Sequence, residues 1–243
     1  MRYAEVHNWL RIAQGWLLPP RCVLCGGTGR WPAVDLCGYC EEDLVANTAA
    51  CRGCALPLPT AGGERCGACL RRARRFDAAF APYLYEYPVD RLIQRFKYQG
   101  ELSIGRVLGE LMGRAVAARH VDLPHALVPV PLARAKQRAR GFNQAYELAR
   151  PLGRALSLPV RTDLCARTRM TQDQAALGGR ARRRNVRGAF IALRANTPQH
   201  VALVDDVLTT GSTCEELARI LKAAGVERVD VWAVARAAAR AKS

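Results

Sequence analysis

Val201-Ala202-Leu203-Val204-Asp205-Asp206-Val207-Leu208-Thr209-Thr210-Gly211-Ser212-Thr213 is the stretch on which the reading of this chain turns. A short apolar strand, expected over 200–204, ends in two adjacent acids. A turn of Thr, Thr, Gly, Ser and Thr then opens a helix expected over 213–224. Consecutive N–H groups and hydroxyls at a helix N-terminus form an anion cradle suited to a terminal phosphate monoester. Gly211 supplies the left-handed turn and lets the phosphate approach the backbone. Two carboxylates beside such a cradle repel phosphate unless they face something else, and vicinal ribose hydroxyls or Mg2+ are their natural partners. The spacing therefore suggests a sugar phosphate. An ordinary strand-to-helix turn with a threonine cap is the plain alternative, but it leaves two adjacent acids unused.

Two upstream segments agree. Ala126–Val130 reads as a buried strand, and it leads into Arg134, Lys136, Arg138 and Arg140, four cations in seven positions. At a strand's carboxyl end they suit a pyrophosphate through charge-assisted contacts. The stretch from Arg167 to Arg187 carries ten Arg, Gln or Asn residues between two strands, as expected of a mobile loop that closes over a ligand; a solvated basic loop is the competing reading. Around these motifs, further strands are expected over 79–85, 160–164, 189–193 and 228–235. Helices are expected over 88–98, 102–119 and 142–156, the last kinked or broken at Pro151. Strands alternating with helices imply right-handed crossovers and a mainly parallel sheet covered on both faces, with ligands at the strands' carboxyl ends.

The first third is organised by cysteine. Eight of the ten lie in four Cys-x-x-Cys pairs, Cys22/Cys25, Cys37/Cys40, Cys51/Cys54 and Cys66/Cys69, and a shift of 29 residues maps the first two pairs onto the second two. Each copy offers four sulfurs, the closed tetrahedral shell that zinc prefers. Sequential pairing (22/25/37/40, then 51/54/66/69) follows from the duplication, with a cross-brace as the alternative. Disulfides are disfavoured because the N-terminus is too polar for a secretory signal peptide. With few apolar residues between 22 and 70, the metal is expected to replace a core. Cys165 and Cys214 stand alone, as small apolar fillers.

Val6, Trp9, Leu10, Ala13, Trp16 and Leu17 form an amphipathic helical stripe stopped by Pro19-Pro20. No apolar run approaches the roughly 20 residues of a membrane span, so no integral membrane association is expected and the protein reads as cytoplasmic. The formal net charge is +16, which favours an anionic partner. However, 33 of the 37 cations are arginine, a skew that a GC-rich genome alone produces.

Val201–Thr213 resembles the phosphoribosyl pyrophosphate (PRPP) signature of type I phosphoribosyltransferases. The resemblance implies that Asp205 and Asp206 hold the ribose hydroxyls and act catalytically. It implies that the segment Asp205, Asp206, Val207, Leu208, Thr209, Thr210, Gly211, Ser212 and Thr213 binds PRPP with Mg2+, and that 134–140 is the pyrophosphate loop. Together with the duplicated cysteines, Phe96-Lys97-Tyr98-Gln99-Gly100, Val128-Pro129-Val130-Pro131-Leu132 and Arg140-Gly141-Phe142-Asn143-Gln144-Ala145, the whole chain resembles the ComF (competence protein F) family. The implied organisation is an N-terminal helix over 1–20, a double zinc ribbon over 21–75 and an α/β phosphoribosyltransferase domain over 76–243. The implied role is natural transformation or use of external DNA, alongside other DNA-uptake proteins.

Three functions are compatible with this reading. The first is an enzyme that transfers phosphoribose from PRPP to an acceptor. The second is a non-catalytic adaptor for single-stranded DNA, with the pocket as sensor or 5-phosphate site and Trp31, Tyr39 or Phe76 stacking on bases. The third is a zinc-ribbon scaffold for protein partners, in which Asp205→Ala is silent.

Overall fold

The computed structural model describes residues 20–30, 34–59, 64–119, 121–168, 186–193 and 197–237. The cysteine-rich segment contains two single-turn helices, α1 (Gly38–Glu42) and α2 (Gly67–Arg71). Then follow β1 (Ala78–Phe80), β2 (Tyr83–Leu84), α3 (Val89–Gln99), α4 (Leu102–Ala117), β3 (Ala126–Pro129), α5 (Arg134–Arg140) and α6 (Gln144–Leu156). The chain continues through β4 (Cys165–Arg167), β5 (Phe190–Ala192), β6 (His200–Leu208), α7 (Ser212–Ala223) and β7 (Arg228–Arg236).

The main sheet runs in the order β1-β7-β6-β3, with β2 also on β7, and every pairing is parallel. Strands covered on both faces read as continuous apolar runs, and Val201–Val204 and Val229–Ala235 are buried almost throughout. One face packs on α3, α4 and α6 through Leu92, Phe96, Leu108, Met112, Leu148 and Leu152. The other packs on α7 and the small antiparallel β4–β5 pair through Leu217, Leu221, Leu164 and Phe190. The mainly parallel sheet with flanking helices that the alternation implies is therefore present.

Several elements differ from expectation. The strand expected over 79–85 is two short ones, because the chain at Ala81-Pro82 turns its carbonyls to Asn47. The Asn47 side chain donates to Ala81 O at 3.1 Å and its backbone N–H to Pro82 O at 2.8 Å. Over 160–164 only Val160 pairs, bridging Leu127; Arg161 and Asp163 instead bond each other at 2.7 Å in a turn, and the strand starts at Cys165. β6 does not stop at Val204 but runs through both acids to Leu208, because β7 continues beside it. α6 is unbroken at Pro151. The ring that forfeits a backbone hydrogen bond there is used against α4, where a Cβ on Gly109 would lie 2.4 Å from Pro151 Cγ. Gly113 faces Ala155 in the same way, so the two helices approach closely.

The cysteine-rich segment also has more apolar anchorage than expected. Val34, Leu36 and Leu44 join the α3–α4 core and Ala55 joins the opposite one. The amphipathic stripe of residues 6–17 lies outside the described residues. Among those described, no helix is long and apolar enough to cross a membrane.

Candidate active site and metal centres

Successive residues of a strand point to opposite faces, so adjacent acids on β6 diverge. Asp206 follows Ala202 and Val204 toward α3, and there the last turn of that helix supplies Lys97, whose Nζ lies 2.8 Å from Asp206 Oδ2. Burial works against the Lys97 charge, but Asp206 and then Asp205 outweigh it and raise its pKa. Asp205 takes the other face. Burial, and next the charge of Asp206, push its pKa up to about 7, while Lys97 and Arg167 pull it down. The electrostatic objection to two carboxylates beside an anion cradle is thus met within the fold: one acid is paired and the other holds its proton near neutrality.

Beyond Leu208 the chain turns through Thr209 and Thr210 into α7. Gly211 has φ +75°, the left-handed conformation that favours glycine, and its Cα faces the ring of Phe76. Thr210 Oγ1 and Ser212 Oγ are 2.8 Å apart, and the Ser212 N–H points at Thr210 Oγ1 from 3.4 Å. Two hydroxyls and the Ser212 amide of the turn are thus gathered at one point, bonded to one another.

The four cations after β3 lie on a helix, not a loop. Residues four apart share a helical face, so α5 divides them. Arg134 and Arg138 are exposed, whereas Lys136 and Arg140 line a cleft of about 450 Å³ together with Lys97 and Tyr98. The local sequence explains this meeting. Gly141 ends α5 with φ +83°, Phe142 reaches the Phe96 ring at 5.4 Å, and Asn143 caps α6 by accepting from the Ala145 N–H at 3.0 Å. Arg140 then donates to Gln144 Oε1 at 2.6 Å and sits 5.6 Å from the Tyr98 ring. On the other side of the turn, a second cleft of about 550 Å³ is lined by Arg72, Arg75, Arg187, Arg219, Glu216 and Ser212. Glu216 is engaged by Arg219 at 2.8 Å and by the Gly188 N–H at 3.0 Å.

The eight cysteines gather as two sets, 22/25/37/40 and 51/54/66/69, so the sequential pairing holds. Sulfurs lie 3.8 Å apart for Cys25 and Cys37 and 3.6 Å for Cys54 and Cys66. A tetrahedron with roughly 2.3 Å Zn–S bonds has edges of about 3.8 Å, so the donor sets fit zinc and leave no ligand position open. Backbone N–H groups back the sulfurs, Cys66 N to Cys51 Sγ at 3.1 Å and Cys40 N to Cys37 Sγ at 3.5 Å. The second set is wholly buried, whereas Cys25 of the first is exposed. Cys165 and Cys214 are fillers as expected: both are buried, which pushes the thiol of Cys165 up to about 12 and raises that of Cys214 as well.

Sequence reasoning missed three residues at this site: Lys97, Arg74 and Arg236. Arg74 donates to Thr210 O at 3.2 Å and to Glu215 Oε1 at 2.8 Å. Arg236 donates to Leu208 O and Cys54 O, each at 2.8 Å. Of the aromatic stacking candidates, Tyr39 is exposed on α1, Phe76 is buried beside Gly211 and unavailable to a base, and Trp31 lies outside the described residues. So does the loop expected between 167 and 187, apart from its ends; those ends lead from β4 and into β5.

A comparison with known proteins now adds to this geometry. The chain is 36% identical to competence protein F of Haemophilus influenzae over 89% of its own length and 97% of that protein's. It belongs to the competence protein F family. The DNA utilization protein YhgH of Escherichia coli K12 is 33% identical, over 90% of this chain and 98% of that protein. Competence protein ComFC of Bacillus subtilis is 26% identical over 57% of this chain and 55% of its own. A double zinc ribbon domain matches residues 13–70, so the two four-cysteine sets of this competence protein F relative are zinc-ribbon sites. The glutamine PRPP amidotransferase of B. subtilis, solved with ADP and GMP, overlaps 58% of the chain and 30% of its own at 17% identity. The TM-score of that overlap is 0.39.

Proposed function

We propose that the carboxyl end of the sheet binds PRPP with Mg2+ and that the protein transfers phosphoribose to an acceptor in the use of external DNA. The observation that carries this is the adjacency on β6 and α7 of a balanced acid pair, Asp205 and Asp206, with the hydroxyl-lined turn Thr209–Thr213. The turn would take the 5-phosphate on the first amides of α7. Asp205, the less buried of the two acids, would face the ribose hydroxyls, and its hard oxygens suit Mg2+, which when bound offsets pyrophosphate charge, while Asp206 holds Lys97 beside it. In the transfer, an acceptor lone pair forms the new bond to the ribose C1 as the C1–O bond breaks, and pyrophosphate leaves with that electron pair. Lys136 and Arg140, which line the cleft beside Lys97, would stabilise its charge, with the exposed Arg134 and Arg138 adding long-range attraction. The names of the relatives support the biological setting in DNA utilization and competence.

A second reading, single-strand binding without catalysis, is favoured by the cleft that Arg72, Arg75 and Arg187 line beside Ser212. Calorimetric titration of the zinc-loaded protein with PRPP and Mg2+ tests the first reading against it. Binding that disappears in the Asp205→Ala/Asp206→Ala variant supports the PRPP site, and pyrophosphate release in an acceptor screen would then establish transfer. No binding to the wild type overturns it, and a steep salt dependence of single-strand binding would support the adaptor.

A further inference from the structure

The turn between β6 and α7 is held by side chains from other parts of the chain. Arg74 lies five residues beyond the last ribbon cysteine, beside the Cys69 sulfur. Its guanidinium donates to the carbonyl of Thr210, in the middle of the turn, and to Glu215 on the first turn of α7. Arg236 lies at the end of β7 with only 6% of its surface exposed. It joins the carbonyl of Leu208, where the turn begins, to the carbonyl of Cys54, inside the second cysteine set, and also reaches Ala237 O. Phe76, on the strand of chain leaving the ribbon, closes against Gly211. The turn is thus tied at its start, its middle and its exit to chain that the second cysteine set fixes.

The first cysteine set is tied elsewhere. It is attached to α3 and α4: Arg95 donates to Val23 O at 2.5 Å, Arg106 pairs with Asp35, and Arg114 with Glu41 at 3.1 Å. The duplicated ribbons therefore serve different partners, one the helical layer and the other the phosphate turn.

We propose that zinc in the Cys51/Cys54/Cys66/Cys69 site sets the conformation of the 208–213 turn, and so its affinity for a phosphate monoester, through Arg74 and Arg236 as positioning residues. This rests on the reading of the turn as a phosphate cradle. An anion cradle works by holding amides where the charge will sit, so it must be fixed before the ligand arrives. The turn's own bonds, between Thr210 Oγ1 and the Ser212 hydroxyl and N–H, leave Thr209 exposed and Gly211 the residue least confined by its backbone, so ties from outside complete its fixing. Arg74 contributes position rather than charge, because Glu215 already balances it. Loss of the second zinc frees the Cys54 carbonyl and the 70–76 segment together, so the turn loses the ties through Arg74 and Phe76 and Arg236 loses its Cys54 anchor, while the Ala237 N–H still holds Leu208 O at 3.2 Å.

The test uses the full zinc-loaded chain, with ribose 5-phosphate as probe, amide hydrogen exchange over 208–214 as second readout, and zinc content measured in parallel. On stepwise chelation, turn protection should survive loss of the exposed first site's zinc and fall only with the second. Arg74→Ala and, as a change remote from the ribbon sulfurs, Glu215→Gln should speed exchange in the turn and weaken ribose 5-phosphate about tenfold or more. Arg74→Lys should restore part of the loss, and Arg95→Ala, which acts at the first site, should leave turn exchange unchanged. Turn exchange indifferent to the second zinc and to both variants would overturn the proposal, as would turn release on loss of the first zinc alone. A wild type that does not bind ribose 5-phosphate would overturn the phosphate reading of the turn, while the exchange data would still decide the coupling.

Discussion

Lys97 Nζ and Asp206 Oδ2 stand 2.8 Å apart at the carboxyl end of β6, with the Asp206 side chain only 5% exposed. The pair joins the last turn of α3 to the sheet, and it gives the site a carboxylate without an uncompensated charge. Breaking a buried pair from one side leaves the other charge stranded, whereas removing both is far milder. Lys97→Met should therefore lower stability by roughly 3 kcal/mol, and Lys97→Met/Asp206→Asn should recover most of it. Thermal unfolding of the two variants decides the point; a single variant as stable as the double would show that Asp206 needs no partner.

Asp205 makes stability depend on pH. Its pKa is raised from 3.8 to about 7, chiefly by burial, so the folded chain holds a proton that the unfolded chain releases. Stability contributed by that proton is complete below about pH 4 and is lost as pH rises through 7. Asp205→Asn should flatten this decline and raise stability at pH 8 by on the order of 2 kcal/mol after screening, roughly 4–8 °C in Tm. PRPP–Mg2+ affinity, which needs the carboxylate, should run the opposite way and strengthen between pH 6 and 8. A titration flat across that interval would contradict the role given to Asp205.

The helical layer offers a test independent of any ligand. A methyl at Gly109 would meet Pro151 Cγ at 2.4 Å and Leu148 O at 2.6 Å, and a backbone oxygen cannot step aside. Gly109→Ala should cost about 2 kcal/mol by overpacking. Denaturant unfolding that showed no loss would mean that α4 and α6 can separate more easily than their packing implies.

Metal analysis should return two zinc ions per chain. Cys25→Ser, at the exposed corner of the first set, should reduce this to one and leave the main sheet intact. Cys51→Ser removes a buried ligand and should also lower solubility and thermal stability. Equal behaviour of the two variants would argue against the difference in burial between the sets.

Much of this architecture is legible in sequence because its signals are local. The 29-residue repeat points to the sequential sulfur sets, with the cross-brace left open until the structure groups them, and the acids followed by a Thr/Gly/Ser turn mark the strand-to-helix corner. What stayed hidden depends on chain closure. Arg74 and Arg236 act 136 and 28 residues from the carbonyls they hold, and in a chain with 33 arginines neither stands out. Lys97 left a faint trace: only four lysines occur, and two of them, Lys97 and Lys136, line the same cleft. The acids of β6 read as a stop and Pro82 does not, so the expected strands end too early at Val204 and run too far through Pro82. Pairing with β7 carries the first through its acids, and hydrogen bonds to Asn47 interrupt the second.

The edge position of β1 has a consequence for synthesis. Among the described strands β1 is the earliest to leave the ribosome, yet its strand partner is β7, the last, with Ala78 beside Asp230 and Phe80 beside Trp232, and its Ala79 N–H donates to Arg52 O at 2.9 Å. Some 150 residues must therefore be translated before the first strand finds its neighbour, and the Cys54 carbonyl waits longer still, 182 residues, for Arg236. Each ribbon can close on its metal as soon as its own four cysteines emerge, but its seat on the sheet exists only when the chain is nearly complete. Nascent chains stalled before residue 228 should thus carry zinc and expose the Phe76–Phe80 edge, a segment for chaperones to shield until the final strand arrives.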